Sequence, residues 1–162
     1  MNEEFDKKLC EKYPLIFRDR HAPMNQTCMC WGICAGDGWY NIIDNLCACI
    51  QGHIDHSYER IKWNTEWNAR VNDPDLEWTA FAAREERPIP EPVEQVVAIQ
   101  VKEKFGGLRF YYNGGDDYIR GVVSMAETMS YTTCEVCGSP GNLRGKHWVQ
   151  TLCDEHAPKE KV

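Results

Sequence analysis

Residues 132–158 read TTCEVCGSPGNLRGKHWVQTLCDEHAP. Two pairs of metal ligands are set in this stretch, Cys134-x2-Cys137 and Cys153-x2-His156. The spacing is that of tetrahedral structural zinc sites. Gly138 follows the first pair and frees the backbone for the tight turn of a knuckle. Thiolate and imidazole donors suit zinc better than calcium or magnesium. Four protein donors leave no position for substrate water, so one structural zinc per chain is expected. Binding in such modules is worth roughly 10–16 kcal/mol, enough to fold a short segment with little core. His147, and after it Asp154, are rivals for the fourth position, and reduced buried cysteines beside an exposed histidine are the plain alternative. The same pairs occur in treble-clef nucleases, but the residues between Gly138 and Leu152 leave no room for a nuclease ββα hairpin. The module, assigned to residues 131–162, is expected to be treble-clef or ribbon-like.

Upstream lies EQVVAIQVKEKFGGLRFYYNGG, residues 94–115. Val97, Ile99 and Val101 alternate with polar or smaller residues, as a half-buried strand does. Gly106-Gly107 supplies a hairpin turn, and Leu108, Phe110 and Tyr112 form the inward face of the returning strand. Asp116 or Asp117 caps a second helix, with Tyr118, Ile119, Val122, Met125, Ala126 and Met129 as its buried face. Lys102, Lys104 and Arg109 stand on the outward side of the hairpin. With the amides of Gly106 and Gly107 they make a candidate anion grip. Solvated lysines that protect a sheet edge are the competing explanation.

Toward the N-terminus, residues 3–12 form a short helix with Phe5, Leu9 and Tyr13 on one face, ended by Pro14. Residues 18–36 are irregular. Asp37 has the position of an N-cap for the longest periodic pattern in the chain. That pattern runs through Trp39, Ile42, Ile43, Leu46, Cys47, Ile50, Ile54, Tyr58 and Ile61. It can extend through Trp63 and Trp67 but must end by Asn72-Asp73-Pro74. Residues 64–92, with four prolines, are assigned to a long loop or connector. The expected fold is α+β: a core of residues 1–130 built on a central helix, a β-hairpin and a second helix, followed by the metal module.

Composition narrows the function. Twenty-five acidic against 18 basic residues give a net charge of -7, which disfavours general binding to nucleic-acid backbones. No apolar run approaches the roughly 20 residues needed to span a bilayer. The first residues lack the pattern of a secretory signal, and nine cysteines then point to a reducing cytoplasm. Cys28, Cys30, Cys34, Cys47 and Cys49 are close enough in sequence to consider a second metal. None has knuckle spacing, and buried thiols are the simpler reading. His53-Ile54-Asp55-His56 is a fragment seen in metallo-β-lactamase-fold hydrolases. Here it falls inside a helical pattern, as a solvated face. No catalytic residues are assigned.

Three blocks of this sequence resemble an uncharacterised family of bacteriophage and prophage proteins. They are Trp31-Gly32 with Cys34-Ala35-Gly36-Asp37-Gly38-Trp39, Ile43 and Leu46-Cys47; residues 100–111, QVKEKFGGLRFY; and Cys134–Gly138 with Leu152–His156. The resemblance implies a phage origin and action in the cytoplasm of a bacterial host. Small phage accessory proteins often counter host defences, so the expected partner is a host defence protein. A nucleotide signal, trapped by aromatics and cations, is the alternative partner, and a metal-dependent phosphoester hydrolase using His53, Asp55 and His56 is a third possibility. Trp31, Asp37, Trp39, Lys102, Lys104, Gly106, Gly107 and Arg109 are the candidate recognition residues.

Overall fold

A computed structural model describes residues 1–73, 85–145 and 148–158 of the chain. The fold is α+β. Helix α1 (Glu3–Lys12) starts where Asn2 accepts the Phe5 N–H, and Glu3, Glu4 and Asp6 complement the positive end of its dipole. The Tyr13 hydroxyl donates to Asp44, tying the end of α1 to helix α2 (Tyr40–Val71). Residues 18–36 are held by Asp6. One of its carboxylate oxygens takes the Arg20 Nε–H (2.9 Å) and the other the Ile33 N–H (2.9 Å).

The 32 residues of α2 make a helix about 48 Å long at 1.5 Å per residue. It reaches Val71, so the connector placed at 64–92 begins only at Asn72. The core covers α2 only as far as Ser57. Tyr58, expected inside, is exposed, as is Trp63. Beyond that point the returning chain takes over. Asn64 donates to the Pro88 carbonyl and Asn68 to that of Arg87, while the Arg87 N–H donates to Asn68 Oδ1. Asparagines one turn apart thus supply the hydrogen bonds that the proline-rich strand cannot make to itself. Residues 74–84 of the connector lie outside the described residues.

Strands β1 (Val97–Lys104) and β2 (Gly107–Asn113) pair antiparallel. The alternation expected for β1 fails at Ile99. A bulge between Ala98 and Gln100 leaves Ile99 unpaired, so the inward residues are Val96, Ala98 and then Val101. The other edge of β1 is covered. Cys34 bridges Lys102, and the Ala98 N–H donates to the Ile16 carbonyl (2.8 Å). The turn is also displaced by one residue from Gly106-Gly107. Lys104 pairs with Gly107, and the turn residues are Phe105 and Gly106, both at positive φ (54° and 78°). Gly107 is needed for a different reason: a side chain there would run into the Tyr131 ring.

Helix α3 (Asp117–Ser130) is capped by Asp116, which accepts the Ile119 N–H. It buries Ile119, Val123, Ala126 and Ser130. The helix is therefore rotated from the expected arc: Tyr118, Met125 and Met129 are exposed and Val122 only half-buried. Helices α2 and α3 pack over the hairpin on one apolar core that includes Leu9, Ile43, Ile50, Val101, Leu108 and Ile119. Among the described residues no helix is long and apolar enough to cross a membrane.

Gly52 sits inside α2 with open space where a Cβ would be. Gly52→Ala is therefore expected to stabilise the fold by about 0.5–1 kcal/mol, or about 1–4 °C in Tm. Thermal denaturation checks this, and a lower Tm would show that the position is not open.

Candidate metal centre

The C-terminal module starts as α3 ends. Thr133 bridges Pro140 across the first ligand pair, and the Gly138 N–H donates back to the Cys134 carbonyl, closing the knuckle. Strands β3 (Asn142–Arg144) and β4 (Gln150–Leu152) pair antiparallel and deliver Cys153 and His156 on the following turn. Within the described residues the part between the two ligand pairs is a two-stranded ribbon.

Cys134, Cys137, Cys153 and His156 converge, with their ligand atoms all within 4.8 Å of one another. Cys137 Sγ lies 3.7 Å from Cys153 Sγ, and His156 Nδ1 lies 3.1 Å from Cys153 Sγ and 3.7 Å from Cys134 Sγ. Metal–sulfur bonds of about 2.3 Å in a tetrahedron put neighbouring donors about 3.8 Å apart. The four residues can hold a metal ion. The surrounding backbone favours the charged ligand. Burial pushes the Cys134 thiol up, but N–H groups of Cys153, Cys137 and Val136 outweigh it and bring the pKa to about 7. The side chain and N–H of Ser139 lower the pKa of Cys137. His147, the rival ligand, lies outside the described residues. Asp154 pairs with Arg144 instead.

The knuckle is built onto the core through the segment Gly36–Trp39. The Gly38 N–H donates to the Glu135 carbonyl (2.8 Å), and the Gly36 N–H to the Glu135 carboxylate (3.1 Å). A Cβ on Gly36 would overlap the Glu135 carbonyl, and one on Gly38 the Cys134 carbonyl. Trp39, expected at a recognition surface, is fully buried and donates its indole N–H to the Thr133 carbonyl (2.7 Å). Asp37 is no helix cap. Its carboxylate accepts the Asn2 N–H (2.7 Å) and Nδ2 (2.8 Å), which hold its pKa below the ordinary value. The hairpin tip docks on the other side, where Thr151 donates to the Gly106 carbonyl (2.6 Å) and Leu143 packs against Gly106.

The expected anion grip is not assembled. The Gly106 N–H is taken by the Glu103 carboxylate (2.6 Å). Arg109 donates to the Leu108 carbonyl and the Tyr131 hydroxyl, with Glu127 at 3.9 Å. Lys102 and Lys104 lie over the Tyr111 and Phe105 rings. Of the recognition candidates, Trp31 is 67% exposed and Lys104 is exposed. Phe105, 72% exposed at the turn, was not among them. The helical pattern had placed the histidines on α2, and there they do not converge. His53 pairs with Asp116 (2.7 Å) and stacks on Tyr118, whereas His56 is exposed beside Glu59. Among the described residues no second cluster that could hold a metal is found around Cys28, Cys30, Cys34, Cys47 and Cys49. Cys47 is buried in the core, which pushes its thiol pKa well up.

No protein-family model, no curated protein and no solved structure matches the chain.

Cys137→Ser is expected to abolish stoichiometric metal and to lower the Tm, read by elemental analysis and thermal denaturation. Unchanged metal content would remove Cys137 from the ligand set. Gly38→Ala is expected to cost about 2 kcal/mol or more through its collision with the knuckle backbone, and a Tm within 1–2 °C of the parent, at about 2–4 °C per kcal/mol, would contradict the docking described.

Proposed function

We propose that this chain is a non-enzymatic binding protein whose C-terminal knuckle holds one structural zinc ion. The closed ligand set carries this reading. Three thiolates and an imidazole within 4.8 Å fill a tetrahedral zinc and leave no position for a reacting water. His53, Asp55 and His56 engage separate partners, Asp116, Gln51 and Glu59, and form no metal cluster among the described residues, which supports it. Zinc ties together the module's own ends, hydrogen bonds to the hairpin tip and the Gly36–Trp39 segment hold the module in place, and the surface they present does the work.

From the resemblance of its three blocks to phage and prophage proteins, we further propose that the partner is a host defence protein met in the bacterial cytoplasm. The exposed Trp31 and the Lys104–Phe105 hairpin tip fit a recognition surface, since exposed aromatics beside a cation are typical anchors. The paired lysines and rings at Lys102–Tyr111 and Lys104–Phe105 favour a nucleotide signal as the second reading, because bases stack on rings and phosphates meet ammonium groups.

Native mass spectrometry of gently purified protein separates the two readings. One zinc with no other added mass, together with capture of a host protein that is lost in Trp31→Ala/Lys104→Ala at unchanged Tm, is the expected result. A retained nucleotide would install the second reading. Phosphoester turnover lost in His56→Ala would overturn both.

A further inference from the structure

The rotation of α3 leaves a second apolar stripe on that helix, Val122, Met125 and Met129, outside the core. Together with α2 it walls a groove of about 710 Å³ that is closed at one end by the metal knuckle. Ile42, Leu46 and Ala126 form its floor, and Val136, Cys137 and Gly138 its end wall. The facing wall, Asn41, Asn45 and Cys49, is polar and uncharged. Met125 and Met129 are 56% and 47% exposed, although both belong to the amphipathic pattern of α3.

Two glycines stand on these helices just beyond the groove's lining residues. Gly52 follows Cys49 by three residues, and Gly121 precedes Met125 by four, so each continues the groove-facing side of its own helix. Nothing lies within 4 Å of a Cβ at either position. A glycine inside a helix costs about 1 kcal/mol relative to alanine, and no contact among the described residues explains it here. From Asn41 to Gly52 the α2 wall spans about 16 Å, or three helical turns.

Charge limits what can enter. Among the described residues no Lys, Arg or His lines the groove and Asp37 is the charged lining residue, and the chain carries a net charge of -7. A phosphate or an acidic segment would meet no counter-charge there, whereas a segment with a basic outer face is attracted. Methionine side chains re-pack around varied apolar anchors, which suits a surface that receives a helix.

We propose that this groove receives a short amphipathic helix of a partner protein, apolar on the face toward Met125 and Met129 and basic on the face toward solvent. The proposal deepens the binding-protein reading and rests on it. Anchors at i, i+3 or i+4, and i+7 of the incoming helix would lie along Val122, Met125 and Met129. The uncharged Asn41 and Asn45 wall would take its polar flank.

The test uses the full zinc-loaded chain with methyl-labelled methionine. Of the five methionines, Met125 and Met129 line the groove and Met29 is fully buried in the core. The probe is a capped 14-residue helix of leucine and lysine, compared with its leucine–glutamate twin and with a proline-interrupted version. The leucine–lysine helix should shift the Met125 and Met129 methyl signals and leave Met29 unmoved, and the two controls should bind at least tenfold more weakly. Met125→Gln/Met129→Gln keeps the charge and the exposed positions, so it isolates apolar contact. It should weaken binding tenfold or more at unchanged Tm. Gly121→Leu, which fills the open space, should also weaken binding tenfold or more, with a Tm raised by the loss of a helical glycine. Binding within twofold of the parent in both variants, or no methyl shift with the leucine–lysine helix, overturns the proposal. Concentration-dependent shifts of the same methyls without peptide would make a second copy the occupant and overturn it as well. Capture of a host protein through Trp31 and Lys104 without groove shifts would leave the binding reading intact and sink the groove alone.

Discussion

The indole of Trp39 has no exposure to solvent, and its N–H is given to the carbonyl of Thr133, the residue just before the first metal ligand. An indole N–H buried without a partner is costly, so this bond fixes where the knuckle must lie. Gly36 and Gly38 let the knuckle backbone come within hydrogen-bonding distance of the same segment. Residues 100 positions apart in sequence thereby become one joint. Glu135 closes it from both directions, donating its N–H to the Thr151 carbonyl and accepting from Gly36 and Gly38. The carboxyl of Glu135 carries a cost for this. Burial, with the charge of Glu103 nearby, pushes its pKa up.

A metal ion on the four ligand residues would hold the module's own ends together, and the joint holds the module to the core. Little apolar area is available inside the module itself, whose buried cluster is Cys134, Leu152 and Cys153. Its position depends instead on polar contacts with Gly36–Trp39 and on the hairpin tip, where Thr151 and Leu143 meet Gly106. The helical part of the fold rests on conventional apolar burial, except at the far end of α2. There the asparagine side chains of Asn64 and Asn68 replace core contacts by bonding to the extended chain beside them.

Features set by local spacing were legible in the sequence. The four ligands announced themselves through two short pairs, α1 and α2 through their apolar stripes, and the α2 end through the approach to Pro74. Features that depend on neighbours were not. The bulge at Ile99 reverses the inward parity of β1 through a single residue, which alternation alone does not mark. Phe105 adopts a left-handed conformation where the adjacent glycine pair looked sufficient, because Gly107 is required by Tyr131 instead. On α3 the apolar residues cover a wider arc than the core occupies, so the sequence could not show which part is buried. Trp39 looked like a surface aromatic beside a glycine turn. Its signal was the pair of glycines at 36 and 38, which announce close backbone approach without naming the approaching chain.

The joint also draws together the three sequence blocks described above. Parts of all three meet around it: the Gly36–Trp39 segment, the hairpin tip and the knuckle itself. Each block supplies one component of a mount, and none of the three is complete without the others. A chain that carries the same blocks therefore inherits the mount and not its cargo. The walls of the groove along α3 lie largely outside those blocks, at Val122, Met125 and Met129. A substitution at these exposed positions would leave the joint's hydrogen bonds in place, so the groove can be altered separately from the mount.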